Sequence, residues 1–394
     1  MLNPNTNQRE LAYIVKIDNI STIPGADRVE LATVAGWKIM TKKGQFKKGD
    51  LAIYIEVDSK VPEKEPFMFL EAKHFKVKTQ KYFKGTVISQ GLLMEPADFG
   101  WKIEDLQVGD FVTEKLGIVY AEAEDNKRKA PSADKYKLMA QRNRKLFAKQ
   151  PFRWLMRRDW GKKLLFVFFG KKKDKKHGWP AWVAKTDEER CQNMPWLFPG
   201  NDEEWIATEK VDGTSTTFTM KGFGRGRQFY ICSRNVVFDK PDKQCYYETN
   251  VYTEMAQKYN IEKVLEEILF RYSAVCNFVT IQGETYGEAV QRRDYGLKGR
   301  DFKAFNVILG YEDGHTERLN PMDMKELLDE FGVPTVDIVD EHFKIPATCE
   351  ELLVLAGGPS AIDGGMREGL VFRSYDGTRS FKAVDNNFLL AFHN

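Results

Sequence analysis

Trp205-Ile206-Ala207-Thr208-Glu209-Lys210-Val211-Asp212-Gly213-Thr214-Ser215-Thr216-Thr217-Phe218-Thr219 reads as two strand-like runs joined by a tight turn. Trp205–Thr208 and Ser215–Thr219 are rich in β-branched and aromatic residues, which suit a pleated surface. Asp212-Gly213 closes the turn, and Lys210 stands at its tip. Alone, this is an ordinary hairpin with a solvated lysine. The rest of the chain gives the lysine its meaning.

Five further short segments lie downstream. Cys232-Ser233-Arg234-Asn235 comes first, then Gln282-Gly283-Glu284-Thr285-Tyr286-Gly287 and Phe302-Lys303-Ala304-Phe305-Asn306-Val307. Arg367-Glu368-Gly369-Leu370-Val371-Phe372-Arg373 and Ser380-Phe381-Lys382-Ala383-Val384 complete the series. With the lysine hairpin they resemble, in order, motifs I, Ia, III, IIIa, IV and V of the covalent lysyl nucleotidyltransferases. These are the polynucleotide ligases and mRNA capping enzymes. The resemblance spans most of residues 185–394.

That resemblance implies roles. Lys210 would attack the α-phosphorus of ATP and become lysyl–AMP, for which its amine must lose a proton at an ordinary pKa of about 10.4. Glu284 would contact the ribose hydroxyls, and Glu368 would help hold a divalent ion. Carboxylates suit Mg²⁺, which takes hard oxygen ligands and bridges phosphates; Mn²⁺ can substitute. Arg234 would lie near the ribose or the phosphate acceptor, Phe305 would stack on adenine, and Lys382 would contact the α-phosphate. Glu209, Asp212 and Gly213 flank the nucleophile, and glycine lets backbone approach the nucleotide closely. One departure is that many RNA ligases carry K-x-K in motif V, whereas this chain has Lys382-Ala383-Val384, with Arg373 and Arg379 as nearby cations.

The 394 residues allow two domains and an insert, and 42% apolar content is enough for real cores. The cysteines (Cys191, Cys232, Cys245, Cys276 and Cys349) form no CxxC pair, which argues against a structural zinc and a disulfide framework. Residues 1–10 are polar, with no signal-peptide core. The longest mid-chain apolar run, Leu164–Phe169, is far too short to span a bilayer. The expectation is a cytoplasmic protein with no membrane partner, and a monomer. No Walker-type GxxxxGK[ST] occurs; Gly222–Gly226 reads as a hairpin turn.

The net charge of +3 hides a segregation. Residues 126–177 hold 19 Lys/Arg against 3 Asp/Glu, leaving 41 basic and 54 acidic residues out of the chain totals of 60 and 57. Phe152, Trp154 and Trp160 sit among these cations. Such interleaving suits phosphate contact with base stacking, or else a solvated charge run around a short buried strand at Leu164–Phe169.

The organisation expected is α+β, with three segments. Residues 1–118 form an OB-type β-barrel, with strands at Leu11–Ile17, Val29–Val34, Trp37–Thr41 and Leu51–Val57, and closing strands in Thr86–Met94 and Asp110–Thr113. Residues 119–184 form a basic connector, helix-friendly over Asn126–Ala148. Residues 185–394 form a nucleotidyltransferase (ATP-grasp-like ligase) domain of antiparallel sheets and helices. Thr186-Asp187-Glu188-Glu189 has the pattern of a capping box opening a short helix, and Val251–Phe270 and Asp323–Phe331 read as helices.

Domain order bears on the polymer. DNA ligases and capping enzymes of this superfamily usually place an OB module after motif V, but here the sequence ends twelve residues beyond Lys382 and the OB-like stretch comes first. This resembles the ATP-dependent RNA ligases with an N-terminal OB domain, which join RNA ends or RNA-containing nicked duplexes through a 3′-OH and a 5′-phosphate. An ATP-dependent DNA ligase, a GTP-using capping enzyme and a non-catalytic RNA-binding protein on a ligase scaffold are the alternatives.

Overall fold

The computed structural model describes residues 9–121, 149–169, 179–200, 202–238 and 250–392. They fall into two compact units. One combines Met1–Tyr120 with Trp179–Asn394, and the other is Ala121–Gly178. The expected helix over Asn126–Ala148, the Lys171–Lys176 run and Cys245 lie outside the described residues.

In the N-terminal part, Ala12–Lys16, Leu51–Ile55 and Leu92–Met94 form one antiparallel sheet, and Asn19–Thr22, Val29–Val34 and Trp37–Lys42 form a second. Side chains alternate strictly along Ala12–Lys16. Ala12 and Ile14 pack with Ile53, Phe67 and Val77, whereas Tyr13 and Val15 pack with Trp37, Ile39 and Tyr54. Both faces of this strand are therefore buried. This is an OB-fold domain. Two expectations shift: Asn19–Thr22 is an additional strand, and Asp110–Thr113 gives only a bridge, Phe111 to Tyr13, before a short helix at Thr113–Leu116.

The C-terminal part is two antiparallel sheets. The smaller runs Ile338–Lys344, Glu204–Lys210, Gly369–Arg373, Ser380–Val384. The larger runs Val237–Phe238, Gln228–Ser233, Thr214–Lys221, Cys276–Gly287, Arg300–Tyr311, Thr316–Arg318. Helices Ile261–Arg271 and Pro321–Asp329 cover one face of the larger sheet, burying Leu265, Ile268 and Leu328 against Val279, Ile281 and Val307. Helix Cys349–Ala356 covers the smaller sheet through Leu352 and Ala356 against Leu370 and Phe372. The uncovered faces line a cleft. The OB-fold domain packs on this body, with Ile88 against Val384 and Leu389 and the Arg190 guanidinium 5.6 Å from the Trp37 ring.

The single helix expected at Val251–Phe270 is two, Val251–Lys258 and Ile261–Arg271, because Asn260 takes a left-handed conformation at φ 49°. No helix opens at Thr186. Residues 183–189 are irregular, and the Thr186 hydroxyl meets Ser215 Oγ at 2.8 Å instead of capping backbone. Trp182 and Ala184 also belong to this body: Trp182 Nε1 donates to Thr219 Oγ1 at 3.2 Å, and the Ala184 carbonyl accepts from Gln282 Nε2 at 2.8 Å.

In the second unit, Gln150–Met156 and Asp159–Phe169 are helices. The run Leu164–Phe169 is thus helical, not a strand. Gly161 and Leu165 are its buried positions, at the four-residue spacing of one helix face. Leu165 packs with Phe152, Leu155 and Phe169. Arg158 lies 4.1 Å from the Trp154 ring, whose neighbour is Trp160. Among the described residues no helix is long and apolar enough to cross a membrane.

Candidate active site

Lys210 is the last residue of its strand and pairs in register with Gly369, so Glu368 arrives beside it from the adjacent strand. Lys210 Nζ donates to Glu368 Oε2 at 2.6 Å. The turn then carries the chain into the larger sheet, where Ser215 pairs with Glu284. Gly213 is fixed by space. A Cβ there would sit 2.3 Å from the Thr285 carbonyl and 2.9 Å from Glu284 Cγ. The Asp212 N–H donates to Tyr295 Oη at 2.7 Å, and Gln291 Nε2 donates to the Gly213 carbonyl at 2.8 Å. The two strands do not pair as a hairpin, since each belongs to a different sheet, and the turn between them is held from both sides.

Lys210, Gly213, Glu284, Phe305, Arg234 and Lys382 all line one cavity of about 350 Å³. Most of the candidate residues thus converge. Phe302 points into the core with Phe218, whereas Phe305 faces the cavity beside Val336. Asp212, buried beside Lys210, does not itself line the cavity. Glu209 does line it, but its carboxylate is engaged elsewhere, accepting from Ser360 Oγ at 2.6 Å and from the Ala361 N–H at 2.7 Å. That contact ties the loop after helix Cys349–Ala356 to the strand that ends at Lys210.

Electrostatics divide the cavity in two. At the lysine end, burial alone would lower the Lys210 amine, but Glu368, with Glu284 and Asp212, raises it on balance. Burial pushes Glu284 up to about 8, despite Lys210 and a bond from the Gly213 N–H that work the other way. At the other end, burial lowers Lys382, against the pull of Asp187. Arg373 is almost fully buried and is pushed down to about 10 by that burial, with Glu188 opposing.

The segment 186–189, whose pattern suggests a helix start, instead runs as an acidic strap beside Ser380–Val384. It contributes residues to the site that no motif marks. The Glu189 carbonyl accepts from the Lys382 N–H at 2.7 Å. Asp187 meets Arg234 at 2.9 Å and Lys382 at 3.3 Å, and Glu188 meets Arg373 at 3.0 Å as well as the Ser380 hydroxyl. The only sequence signal is three consecutive acids ahead of motif I. No cation stands at Val384, which is buried against Ile88. Of the two arginines considered in its place, Arg373 lines the cavity; Arg379 faces a neighbouring one and pairs with Glu203.

The carboxylates near Lys210 suit a hard divalent ion. Among the described residues, no three Asp, Glu, His or Cys side chains form a ready metal cage.

Comparison with known proteins agrees with this geometry. Residues 11–96 match an OB-fold domain family and residues 203–384 match the RNA ligase family. No curated protein matches the chain. Among solved structures, Naegleria gruberi RNA ligase with PPi is 26% identical with a TM-score of 0.63, covering 97% of this chain and 98% of that one. A variant of that ligase with ATP and Mn is 27% identical with a TM-score of 0.65, covering 98% of this chain and 100% of that one. Another variant, with AMP and Mn, is 27% identical with a TM-score of 0.65, covering 97% and 98%. The chain thus carries an OB-fold domain at residues 11–96 ahead of an RNA ligase family domain at residues 203–384, and over nearly its whole length it is similar to an RNA ligase of the covalent lysyl nucleotidyltransferase superfamily.

Proposed function

We propose that this ATP-dependent RNA ligase uses Lys210 as its nucleophile and seals 5′-phosphate to 3′-OH ends, with a ribonucleotide on the 3′-OH side of a nicked duplex. The observation that carries the reading is the Lys210 amine, 2.6 Å from Glu368, in a cavity that also holds Glu284, Phe305, Arg234 and Lys382. The neutral amine attacks the α-phosphorus of ATP. A P–N bond forms, the bond to the bridging oxygen breaks, and pyrophosphate leaves. AMP then passes to the 5′-phosphate, and the 3′-OH displaces it.

Glu368 is the proposed protein ligand for Mg²⁺ or Mn²⁺, with Glu284 close by. The bound ion would add positive charge beside the amine and the phosphates. The amine, raised by its carboxylate neighbours, must be freed of its proton before attack, and any cation drawn to Glu368 favours that. Lys382 and Arg234 would neutralise phosphate charge, and Phe305 would stack on the base. Gly213 leaves room for the turn to pass the Thr285 carbonyl. Asp212 and Glu209 support it, Asp212 by burial beside the amine and Glu209 by anchoring the 360–361 loop. The enzyme is taken to act as a cytoplasmic monomer on RNA.

The test is labelled ATP or GTP with Mg²⁺, then a nicked duplex ending in either an RNA or a DNA 3′-OH. Label from ATP and sealing of the ribonucleotide end alone support the reading. Label from GTP would make it a capping enzyme, and equal sealing of DNA a DNA ligase. Absence of label would leave a nucleic-acid binder.

A further inference from the structure

We propose that Asp187 is a built-in counter-anion, which occupies the phosphate seat of the nucleotide-free enzyme and must be displaced when the phosphate chain enters. The proposal rests on the reading of the cleft as a nucleotide site. Its basis is geometric. One Asp187 oxygen meets Arg234 at 2.9 Å and the other meets Lys382 at 3.3 Å. A single anionic centre with two oxygens thus bridges two cations, one in the turn after strand Gln228–Ser233 and one on strand Ser380–Val384, as a phosphate would. All three side chains line the cavity that holds Lys210.

The strap is fixed on both sides of Asp187. Thr186 is latched to Ser215, Glu188 is tied to Arg373, and the Glu189 carbonyl is tied to the Lys382 N–H. Asp187 itself is 53% exposed, against 20% for Glu188. The two neighbours therefore differ in kind. The Glu188–Arg373 pair is buried and structural. The Asp187–Arg234 pair is exposed on both sides, where ion pairs are weak and exchangeable, and Asp187 reaches the less exposed Lys382 from the solvent side. A polyphosphate with several charges outcompetes one carboxylate for the same cations, and its hydrogen bonds are charge-assisted as well.

The experiment is equilibrium binding of α,β-methylene-ATP and of pyrophosphate to the full chain, with and without Mg²⁺, for the wild type, Asp187→Asn and Asp187→Ala. Both variants should bind both ligands about fivefold more tightly, the loss of a solvent-exposed ion-pair competitor. The salt dependence should also steepen, because more free cations meet the phosphates. Unchanged or weaker binding by variants whose thermal unfolding matches the wild type would overturn the proposal. Weakening only with Mg²⁺ would overturn it by making Asp187 an ion ligand. Failure of the wild type to bind either ligand would instead remove the nucleotide reading, and the counter-anion with it.

Discussion

The cleft and the helical hairpin of residues 149–169 are built from similar residue types, yet they handle charge in opposite ways. In the cleft each cation meets a carboxylate: Lys210 meets Glu368, Lys382 and Arg234 meet Asp187, and Arg373 meets Glu188. Around the hairpin the cations outnumber the acids, 19 to 3 over residues 126–177. Paired charge at fixed positions can exchange one partner for a specific anion. Excess charge can only attract anions in general, with a strength that depends on salt. The first arrangement suits chemistry on a nucleotide, and the second suits holding a polymer.

The largest test of that contrast is Lys210→Ala. It should abolish covalent labelling by ATP while leaving nucleic-acid binding by the rest of the chain in place. Lysyl–AMP surviving in the variant, seen as a covalent label or a mass shift, would remove the assignment. Next comes Arg373→Met. Breaking a buried pair by deleting one partner leaves a charge short of solvent, so a loss of about 3 kcal/mol in stability is expected, read from chemical denaturation. A near-neutral result would mean that water reaches Glu188 and that the pair belongs with the exchangeable ones.

Glu284→Gln probes the lysine end through pH. Burial raises the folded-state pKa of Glu284 from 4.5 to about 8. The unfolded chain therefore releases the proton first. The stability this group contributes is fully present below about pH 4.5, and it is lost as pH rises through about 8. Relative to Glu284→Gln, the wild type should lose about 2 kcal/mol between about pH 5 and 8, a conservative share of the shift because Lys210 is coupled to the same carboxyl. Parallel melting curves for the two proteins across that range would show an ionised Glu284 held by Lys210.

The same contrast explains what could be read from sequence. The two strands around Lys210 were legible because their pattern is local, two β-rich runs about Asp212-Gly213; that they enter different sheets instead of pairing as a hairpin was not, because their partners, Gly369–Arg373 and Cys276–Gly287, are distant in sequence. The OB strands were legible for the same reason, since short apolar-rich runs such as Leu11–Ile17 and Trp37–Thr41 are separated by Gly-containing turns. The strap was not. Thr-Asp-Glu-Glu satisfies a capping pattern, but its hydroxyl and carboxylates are claimed by Ser215, Arg234, Lys382 and Arg373, at sequence separations of 29 to 195 residues. Long-range pairing overrode local preference. At Asn260 the failure is of another sort, because one left-handed residue divides a continuous amphipathic pattern without changing its period. At Leu164–Phe169 six apolar residues were too short a window to distinguish strand from helix.

The smallest expected effect lies in the basic segment. Lys171, Lys172, Lys173, Lys175 and Lys176 lie outside the described residues, yet their charge is evident from sequence alone. Replacing all five with Gln should flatten the plot of log affinity for nicked duplex against log salt, because each phosphate contact contributes about 0.7 to 0.9 to that slope. Self-adenylation should not change, since the described lining of the cavity around Lys210 is drawn from residues 186–382. An unchanged slope would make the run a solvated surface. A loss of self-adenylation would be the more informative result, because the segment would then act on the nucleotide step and the separation between paired and excess charge would fail.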